Sequence, residues 1–575
     1  MPFDRPPLAR FGAFEVDLRA GELRRQGRKL RLQEKPFQLL AALLEQPGEV
    51  VTRDELRLRL WPSDTFVDFD NGLNNAVAKL RSALSDSAQS PKLIETLGRR
   101  GYRFIGAVDR VAAPAAQPGA GRLDQRVRSL AVLPLANLSS DPEQEYFSDG
   151  MTDSLIAQLS GIRALRVISR QSVIRYRKSE KSLPEIGREL NVDAVIEGTV
   201  LRTGNRIRIT AQLVHAASDE HLWAEQYERE LSDVLVLQSE IARAVAQQVQ
   251  ITLTPQEASR LEQVRRLAPE AYDYYLRGRY LWNRRTEDGL HRSLDYYKQA
   301  IVIEPRFALA HAAIAATYGP LGYLGFLPPH AVTPMMKAAA LRSLELDPEL
   351  ADGFTALGAC AAFHEWCWAD AEKFFRQAIA LNPSDSTAYL WYGAFLENMD
   401  RQPENLAARR RALELDPLNL PINANLGRAL WYAGQHDEAV HQLRLTLDLE
   451  PTFVLARRYL GQIYLMGGQQ RDGLAELENT ARDGTLGHAY AVCGLEADAR
   501  QIVSELEQAS RERYVSQYEM ALVFAGLGER DTALDCLERA FDARAVGLVT
   551  MKIDRRLAPL QSDPRFRRLL TQMNF

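Results

Sequence analysis

Prolines preceded by an acid or an amide punctuate the C-terminal half of this 575-residue chain at a nearly fixed interval. Glu304-Pro305, Asp347-Pro348, Asn382-Pro383, Asp416-Pro417 and Glu450-Pro451 are 43, 35, 34 and 34 residues apart. A period near 34 accommodates two helices and two turns, and each proline stops a helix because it has no N–H to extend the ladder. The segment before Pro451 carries Leu426-Gly427, Leu430, Gly434, Ala439 and Leu443; that before Pro383 carries Ala371, Phe375 and Ala378. Small residues let paired helices approach, and larger ones fill the space between one pair and the next. From about Pro269 onward, then, the chain must stack helix pairs into a curved array. The first interval is longer than the rest, and Gly319 to Pro334 supplies the excess. An ordinary surface insertion and a loop on a binding face are both open readings of it.

The pattern weakens after Pro451. Gln517 to Phe541 still reads as a helix pair, and Asp563-Pro564-Arg565-Phe566 leads a short capping helix. In period and in the placement of small residues the region resembles the tetratricopeptide repeat (TPR). The resemblance implies a superhelix whose concave side holds a peptide or protein partner, or mediates self-association. Trp366, Trp368, Tyr389, Trp391, Tyr392 and Trp431 read as core between repeats, with groove lining as the alternative.

The first hundred residues follow different periodicities. Leu8 to Leu32 alternates apolar and charged residues around Ala20-Gly21 and Gln26-Gly27, the signature of a short antiparallel sheet. A helix follows from about Lys35, with Pro36 in its first turn and Phe37, Leu40, Leu43 and Leu44 as its buried face. Thr52 and Glu55 form a capping box that opens a second helix through Leu60. A third helix begins near Asp70. Leu73, Val77, Leu80 and Leu84 make its apolar stripe, and Asn71, Asn74, Asn75, Lys79 and Ser82 occupy the opposite side. Two strand-like runs, Ile94 to Leu97 and Tyr102 to Ile105, then flank Gly98-Arg99-Arg100-Gly101. A polar-faced helix beside a cationic hairpin suits duplex DNA. Asn74 and Asn75 can pair with adenine edges in the major groove, and Lys79 with guanine or phosphate. Arg81 flanks this face toward the backbone, and Arg99 and Arg100 reach the minor groove or its phosphates. Solvation alone also produces a polar helix face; the hairpin and the preceding helices favour DNA.

Three motifs in this order, Val51-Thr52-Arg53-Asp54-Glu55-Leu56, Leu73 to Arg81 and Thr96 to Phe104, make residues 8–106 resemble the OmpR/PhoB-type winged-helix DNA-binding domain. The resemblance implies double-stranded DNA as ligand, one half-site per head, and therefore homodimerisation as an option. It also implies contact of the loop Trp61 to Phe69 with RNA polymerase, for which packing of Trp61 and Phe66 beneath the domain is the alternative. Relatives of such heads are usually response regulators with a phospho-accepting receiver domain. Here the head begins almost at Met1, which leaves no room for one before it and argues against phosphorelay control in cis.

Ala112 to Gly121, rich in Ala, Pro and Gly, reads as a flexible linker. Leu130 to Leu135 then reads as a buried strand, Met151 to Leu159 as a helix with Ser148 or Asp149 near its start, and Leu165 to Ser169 as a second strand. Leu183 to Leu190 is a helix, Ala194 to Leu201 a strand, and Arg206 to Leu213 a half-exposed strand after Thr203-Gly204-Asn205. Val234, Leu237, Ile241, Val245 and Val249 close the segment as a helix. Leu130–Leu135, Tyr146–Met151, Ile186–Leu190, Glu197–Val200 and His221–Glu225 make it resemble the TolB N-terminal-like (FlgO-related) domain.

Composition narrows the function. A net charge of −4 covers an uneven distribution: residues 1–106 hold 18 Lys/Arg against 14 Asp/Glu, which leaves the excess of acids to the remainder. A basic head on an acidic body offers DNA one module. The four cysteines, Cys360, Cys367, Cys493 and Cys536, have no metal-ligand spacing, and Cys360 and Cys367 read as a reduced core pair. No signal peptide, no apolar run long enough to span a membrane, no P-loop, no nucleophile elbow and no zinc-protease motif occurs, so the expectation is a cytoplasmic protein with no membrane contact, enzyme activity, cofactor or metal. Asp149 and Asp153 read as helix-capping acids and His215 and His221 as structural.

The expected architecture is a multidomain α+β chain: a winged helix-turn-helix over 1–106, a linker over 107–128, a small α/β domain over 129–254 and an all-α TPR superhelix over 255–575. The expected function is sequence-specific transcriptional regulation. Its rival is a TPR assembly scaffold in which DNA binding is secondary.

Overall fold

The computed structural model describes residues 8–17, 22–25, 28–30, 32, 34–60, 69–98, 100–111, 127–139, 141, 144–262 and 267–575. Contacts divide the chain into two units, residues 1–125 and 126–575.

In the first unit, strands β1 (Leu8–Phe11), β2 (Phe14–Asp17), β3 (Glu22–Arg25) and β4 (Arg28–Leu30) form an antiparallel meander. Helix α1 (Glu34–Glu45), strand β5 (Val50–Thr52), helix α2 (Arg53–Leu60) and helix α3 (Phe69–Leu84) follow, and then β6 (Ile94–Leu97) and β7 (Gly101–Phe104). Strand β8 (Asp109–Val111) pairs with β1, with Ala9 opposite Arg110, so the sheet runs β4-β3-β2-β1-β8. This strand falls in the stretch expected to be linker; the open backbone edge of β1 recruits it. The hairpin sheet is three-stranded, β5-β7-β6, because β5 adds to it. The core gathers Leu40, Leu43 and Leu44 of α1 with Leu73, Val77, Leu80 and Leu84 of α3 under Phe11, Phe14 and Phe104. Leu39 is fully buried, whereas Phe37, expected on the buried face, is half-buried at its edge. The loop over 61–68, with Trp61 and Phe66, and the Ala/Pro/Gly run lie outside the described residues.

The second unit opens with an α/β layer. Strands β9 (Ser129–Val132), β10 (Ala136–Asn137), β11 (Arg166–Val167), β12 (Ala194–Thr203), β13 (Arg206–His215) and β14 (Glu220–Glu230) form one sheet, β11-β9-β12-β13-β14, with β10 on β12. Helices α4 (Glu145–Ser160), α5 (Arg170–Val173), α6 (Leu183–Leu190) and α7 (Val234–Gln248) complete the layer. Two readings change here. Helix α4 starts at Glu145, so Ser148 and Asp149 lie inside it. Asp149 and Asp153 are buried ion-pair acids rather than caps: Asp149 accepts from Arg170 at 3.1 Å and from Arg177, and Asp153 pairs with Arg170 and lies 3.6 Å from Arg279. Strand β14, which the sequence reading passed over, is the longest in the sheet.

Helix pairs fill the rest, from Pro269–Trp282 with Glu287–Ile303 to Gln517–Gly526 with Arg530–Asp542, and Pro564–Gln572 caps the array. They continue through 454–509, where the sequence pattern fades. Only 324–328 of the Gly319 to Pro334 stretch is a loop: Ala308–Tyr323 and Pro329–Leu346 are long helices that carry Pro320 and Pro334 internally. Cys360 is buried and Cys367 exposed, separated by a π-turn at Ala361–Glu365 and a left-handed Trp366, so they do not form a core pair. Trp366 is fully buried against Phe541, with ring centroids 5.1 Å apart.

The α/β layer docks on the helical array through specific bonds. Ser172 donates to Asp416 at 2.6 Å, the Ser169 amide to the Leu415 carbonyl at 2.9 Å, and Arg166 to the Glu414 carbonyl at 2.8 Å. On a second face, Tyr146 and Arg202 both donate to Asp273 at 2.5 Å.

Candidate nucleic-acid interface

The interface is assembled around the N-terminus of α2. The Thr52 amide donates to Glu55 at 2.8 Å and the Glu55 amide to the Thr52 hydroxyl at 3.3 Å, the reciprocal capping box. The Thr52 amide and hydroxyl bonds hold the Glu55 carboxyl below its ordinary value. This cap fixes Arg53 at the first turn, where its guanidinium donates to Asn74 at 3.0 Å and to the Tyr102 hydroxyl at 3.2 Å. Tyr102, from β7, also donates to Asn74 at 3.1 Å. One residue of α2 and one of the hairpin therefore converge on a single amide oxygen of α3.

That convergence limits what Asn74 can do. Arg53 has no acceptor, so the side Asn74 turns toward it is its oxygen. Its Nδ2 is left as a donor, directed by the other two residues. A bidentate pairing of Asn74 with adenine would need both atoms and is incompatible with this arrangement; donation to a purine N7, adenine's included, a thymine O4 or a phosphate is compatible.

Asn75, Lys79 and Ser82 are exposed along α3, while Leu73, Val77 and Leu80 on its other side are at most 2% exposed. Arg81 is placed differently. It donates to the Ile94 carbonyl at 2.8 Å and to Thr96 at 2.7 Å, so it ties α3 to β6. Its role in the fold is to hold the hairpin, a use that the helical spacing alone did not reveal. Asp86 does the same from the loop: its carboxylate accepts from the amides of Lys92 (2.7 Å) and Ile94 (2.8 Å). Burial opposes its ionisation, but these amide bonds outweigh burial and hold the carboxyl below its usual value.

The hairpin turn depends on two glycines. Gly98 has φ +48°, and a Cβ on Gly101 would sit 2.1 Å from the Val51 carbonyl oxygen. The Arg100 amide closes the turn on the Leu97 carbonyl at 2.9 Å, and its side chain is exposed. The Arg99 position and the Asn71 side chain lie outside the described residues. Arg53 and Tyr102 were not among the predicted contact residues. Their signal was present as the Thr52–Glu55 box, which fixes where α2 starts and so where Arg53 points.

Among the described residues, no group of His, Cys, Asp or Glu could hold a metal, and no helix is long and apolar enough to cross a membrane.

Residues 27–104 match the family model "Transcriptional regulatory protein, C terminal", and residues 125–244 match "HilA/YgeH-like transcriptional regulator, second domain". The chain is 25% identical over 436 residues to the transcriptional regulator HilA of Salmonella typhimurium, covering 75% of this chain and 74% of that one. It is 39% identical over 194 residues to a putative adenylate cyclase 3 of Rhizobium meliloti, covering 32% of each chain, so it spans about a third of that relative. Among solved structures, the thermophilic TPR protein TTC0263 of Thermus thermophilus matches with 16% identity, 34% of this chain, 99% of that chain and a TM-score of 0.29. The first unit thus carries a transcriptional-regulator DNA-binding domain of winged-helix type. The middle segment is similar to the second domain of HilA-like regulators.

Proposed function

We propose that the chain regulates transcription by reading promoter DNA with α3 and the β6–β7 hairpin. Asn75 and the Nδ2 of Asn74 meet base edges, Lys79 and Ser82 meet a base or phosphate, and Arg100 holds the flanking backbone, with Arg99 and Asn71 as further contacts by their places in the sequence. Arg81 serves by positioning the hairpin. The single observation that carries the reading is the Arg53–Asn74–Tyr102 junction. A solvated helix face needs no such aiming, whereas a base-reading amide does.

The second unit supplies control rather than chemistry. Its helical repeats offer a protein or peptide partner a surface and give two heads a means to pair on a two-fold operator, with RNA polymerase as a further contact of the head.

The test is binding of the full chain to a duplex taken from its own genomic footprint, against a random duplex, across a salt series. Lys79→Ala and Arg100→Ala are each expected to flatten the log–log salt slope by about one unit. Asn75→Ala is expected to relax base preference at one position, at a cost of about 1–3 kcal/mol. Equal affinity for the footprinted and random duplexes overturns the reading.

A further inference from the structure

The concave side of the helical array is not an open groove. Its far end turns back on its middle: the Trp368 indole donates to the Met573 carbonyl at 2.9 Å, the Phe575 ring lies 4.7 Å from that of Trp368, and Arg555 covers Trp431 at 5.0 Å. The α/β layer stands against another side, through Ser172–Asp416 and through the Asn283 amide, which donates to Asp153 at 3.2 Å. Between them is a chamber of about 2110 Å³. That is roughly twice the upper end of the range for pockets that take a single small organic ligand.

Its wall carries separated and unequal charges. Arg409, 1% exposed, and Arg428 share one carboxylate, that of Glu397, at 4.0 Å and 2.8 Å. Arg409 places its other donors on the Leu390 carbonyl at 2.9 Å and on Asn405 at 3.3 Å, which leaves one positive charge in excess. Asp352 and Asp385 also line the chamber, and neither forms an ion pair among the described residues, although the charge of Arg279 acts on Asp352; Asp385 accepts from the Thr387 and Ala388 amides and the Thr387 hydroxyl that open its own helix. Burial and the neighbouring Asp352 push the Asp385 carboxyl up to about 7, and burial raises that of Asp352.

The spacing of these two charged places follows from one helix. Asp385 precedes the helix Ser386–Asn398, and Glu397 lies at its other end. Twelve residues at helical rise separate them by about 18 Å. The face between presents Thr387, Leu390, Trp391 and Ala394 to the chamber, and Tyr323 meets Trp391 edge-on at 5.6 Å. An extended chain of about five residues spans such a distance.

We propose that this chamber binds a free zwitterion of oligopeptide length, with its ammonium on Asp352 and Asp385, its carboxylate on Arg428 and Arg409, and its apolar middle against Trp391 and Tyr323. The chamber wall includes Ser169, Arg170 and Gln238 of the α/β layer as well as the repeats, so its occupant can act on both as an effector, separate from any surface that takes a folded partner.

Calorimetric titration of the full chain tests this with a pentapeptide of alternating leucine and glycine carrying free termini. The same peptide acetylated at its N-terminus, or amidated at its C-terminus, is expected to bind at least tenfold more weakly. The D352N/D385N double variant, in which Asn keeps the helix cap, is expected to bind free and acetylated peptides equally and to keep the helical circular dichroism and cooperative unfolding of the second unit as evidence of an intact fold. The proposal is overturned if the free peptide gives no binding at millimolar concentration. Indifference to blocking either terminus in the unaltered protein overturns it equally.

Discussion

The two units use charge in opposite ways. In the first, ion pairs sit at the surface: Arg103–Glu95, Arg10–Glu15 and Arg59–Glu45 each leave about a third or more of their side chains exposed. Such pairs contribute on the order of 0–1 kcal/mol, so the head is held by its apolar core and its polar surface remains available to a ligand. The second unit has surface pairs too, such as Arg500–Glu496, but among the described residues it alone also takes guanidiniums and carboxylates inside, as in Arg409–Glu397, Arg556–Asp554 and Arg170–Asp153. Buried pairs of this kind hold a geometry but tolerate no missing member. A charge change should therefore alter binding in the first unit and stability in the second.

The sharpest way to break that contrast is Glu397→Gln. Glu397 is 2% exposed and is the carboxylate that Arg409 and Arg428 share. Its loss leaves two cations buried without a counter-charge, at an expected cost of about 3–5 kcal/mol. Denaturant unfolding followed by tryptophan fluorescence, to which the second unit contributes six of the seven tryptophans, should show the midpoint fall, while DNA binding measured below that midpoint is unchanged. A loss below about 1 kcal/mol would show that the pair behaves as a surface one.

The contrast also has a pH signature. Asp385 has a folded-state pKa of about 7, above its unfolded value near 3.9, so the folded second unit binds more protons between those values. Its stability is then greatest at low pH within this window and declines as pH rises through 7, by at most about 1.4 kcal/mol per unit. Asp352 and Glu519, also raised by burial, add in the same direction. Asp86 in the head has the opposite sign. Its folded pKa is depressed, so its stabilisation is complete above about 4 and fades as pH falls below it. His364 and His488, which burial pushes down to about 4, act with the opposite sign below about pH 6.5, so the contribution of Asp385 is read as the difference between the pH 5 to 8 melting trends of the unaltered protein and of Asp385→Asn, whose trend should lack the decline. A trend unchanged in the variant rejects Asp385 as its source.

How much of this was legible in the sequence depended on whether the signal was local. The apolar stripe of α3, the Thr52–Glu55 box and the Asp-Pro period are each written within a few residues, and each corresponds to an observed element. Strand β8 was not legible, because Asp109-Arg110-Val111 pairs with β1 a hundred residues away. The same holds for β14, whose Glu-rich edge hides its alternation. The roles of Arg81 and of Asp149 and Asp153 turned on partners from other elements: Ile94 and Thr96 in one case, Arg170, Arg177 and Arg279 in the other. The weak repeats after Pro451 persist because neighbouring pairs supply the packing that their own consensus lacks. At the candidate interface the residue types were readable, but the orientation of Asn74 was not.

That orientation sets up the smallest effect. Tyr102→Phe removes one of two hydrogen bonds to the Asn74 oxygen and leaves Arg53 at 3.0 Å as the other. The ring keeps its place in the hairpin core, where the residue is 3% exposed, so stability should change by about 1 kcal/mol or less. If the junction aims Asn74, the remaining freedom of the amide should weaken specific DNA binding several-fold while leaving the salt slope unaltered, because no phosphate contact is lost. Arg53→Ala should do more, since it removes the donor that orients the amide. A Tyr102→Phe variant that loses affinity for specific and random duplexes alike would mean that the hydroxyl touches the backbone itself. The polar convergence would then belong to phosphate binding and not to base reading.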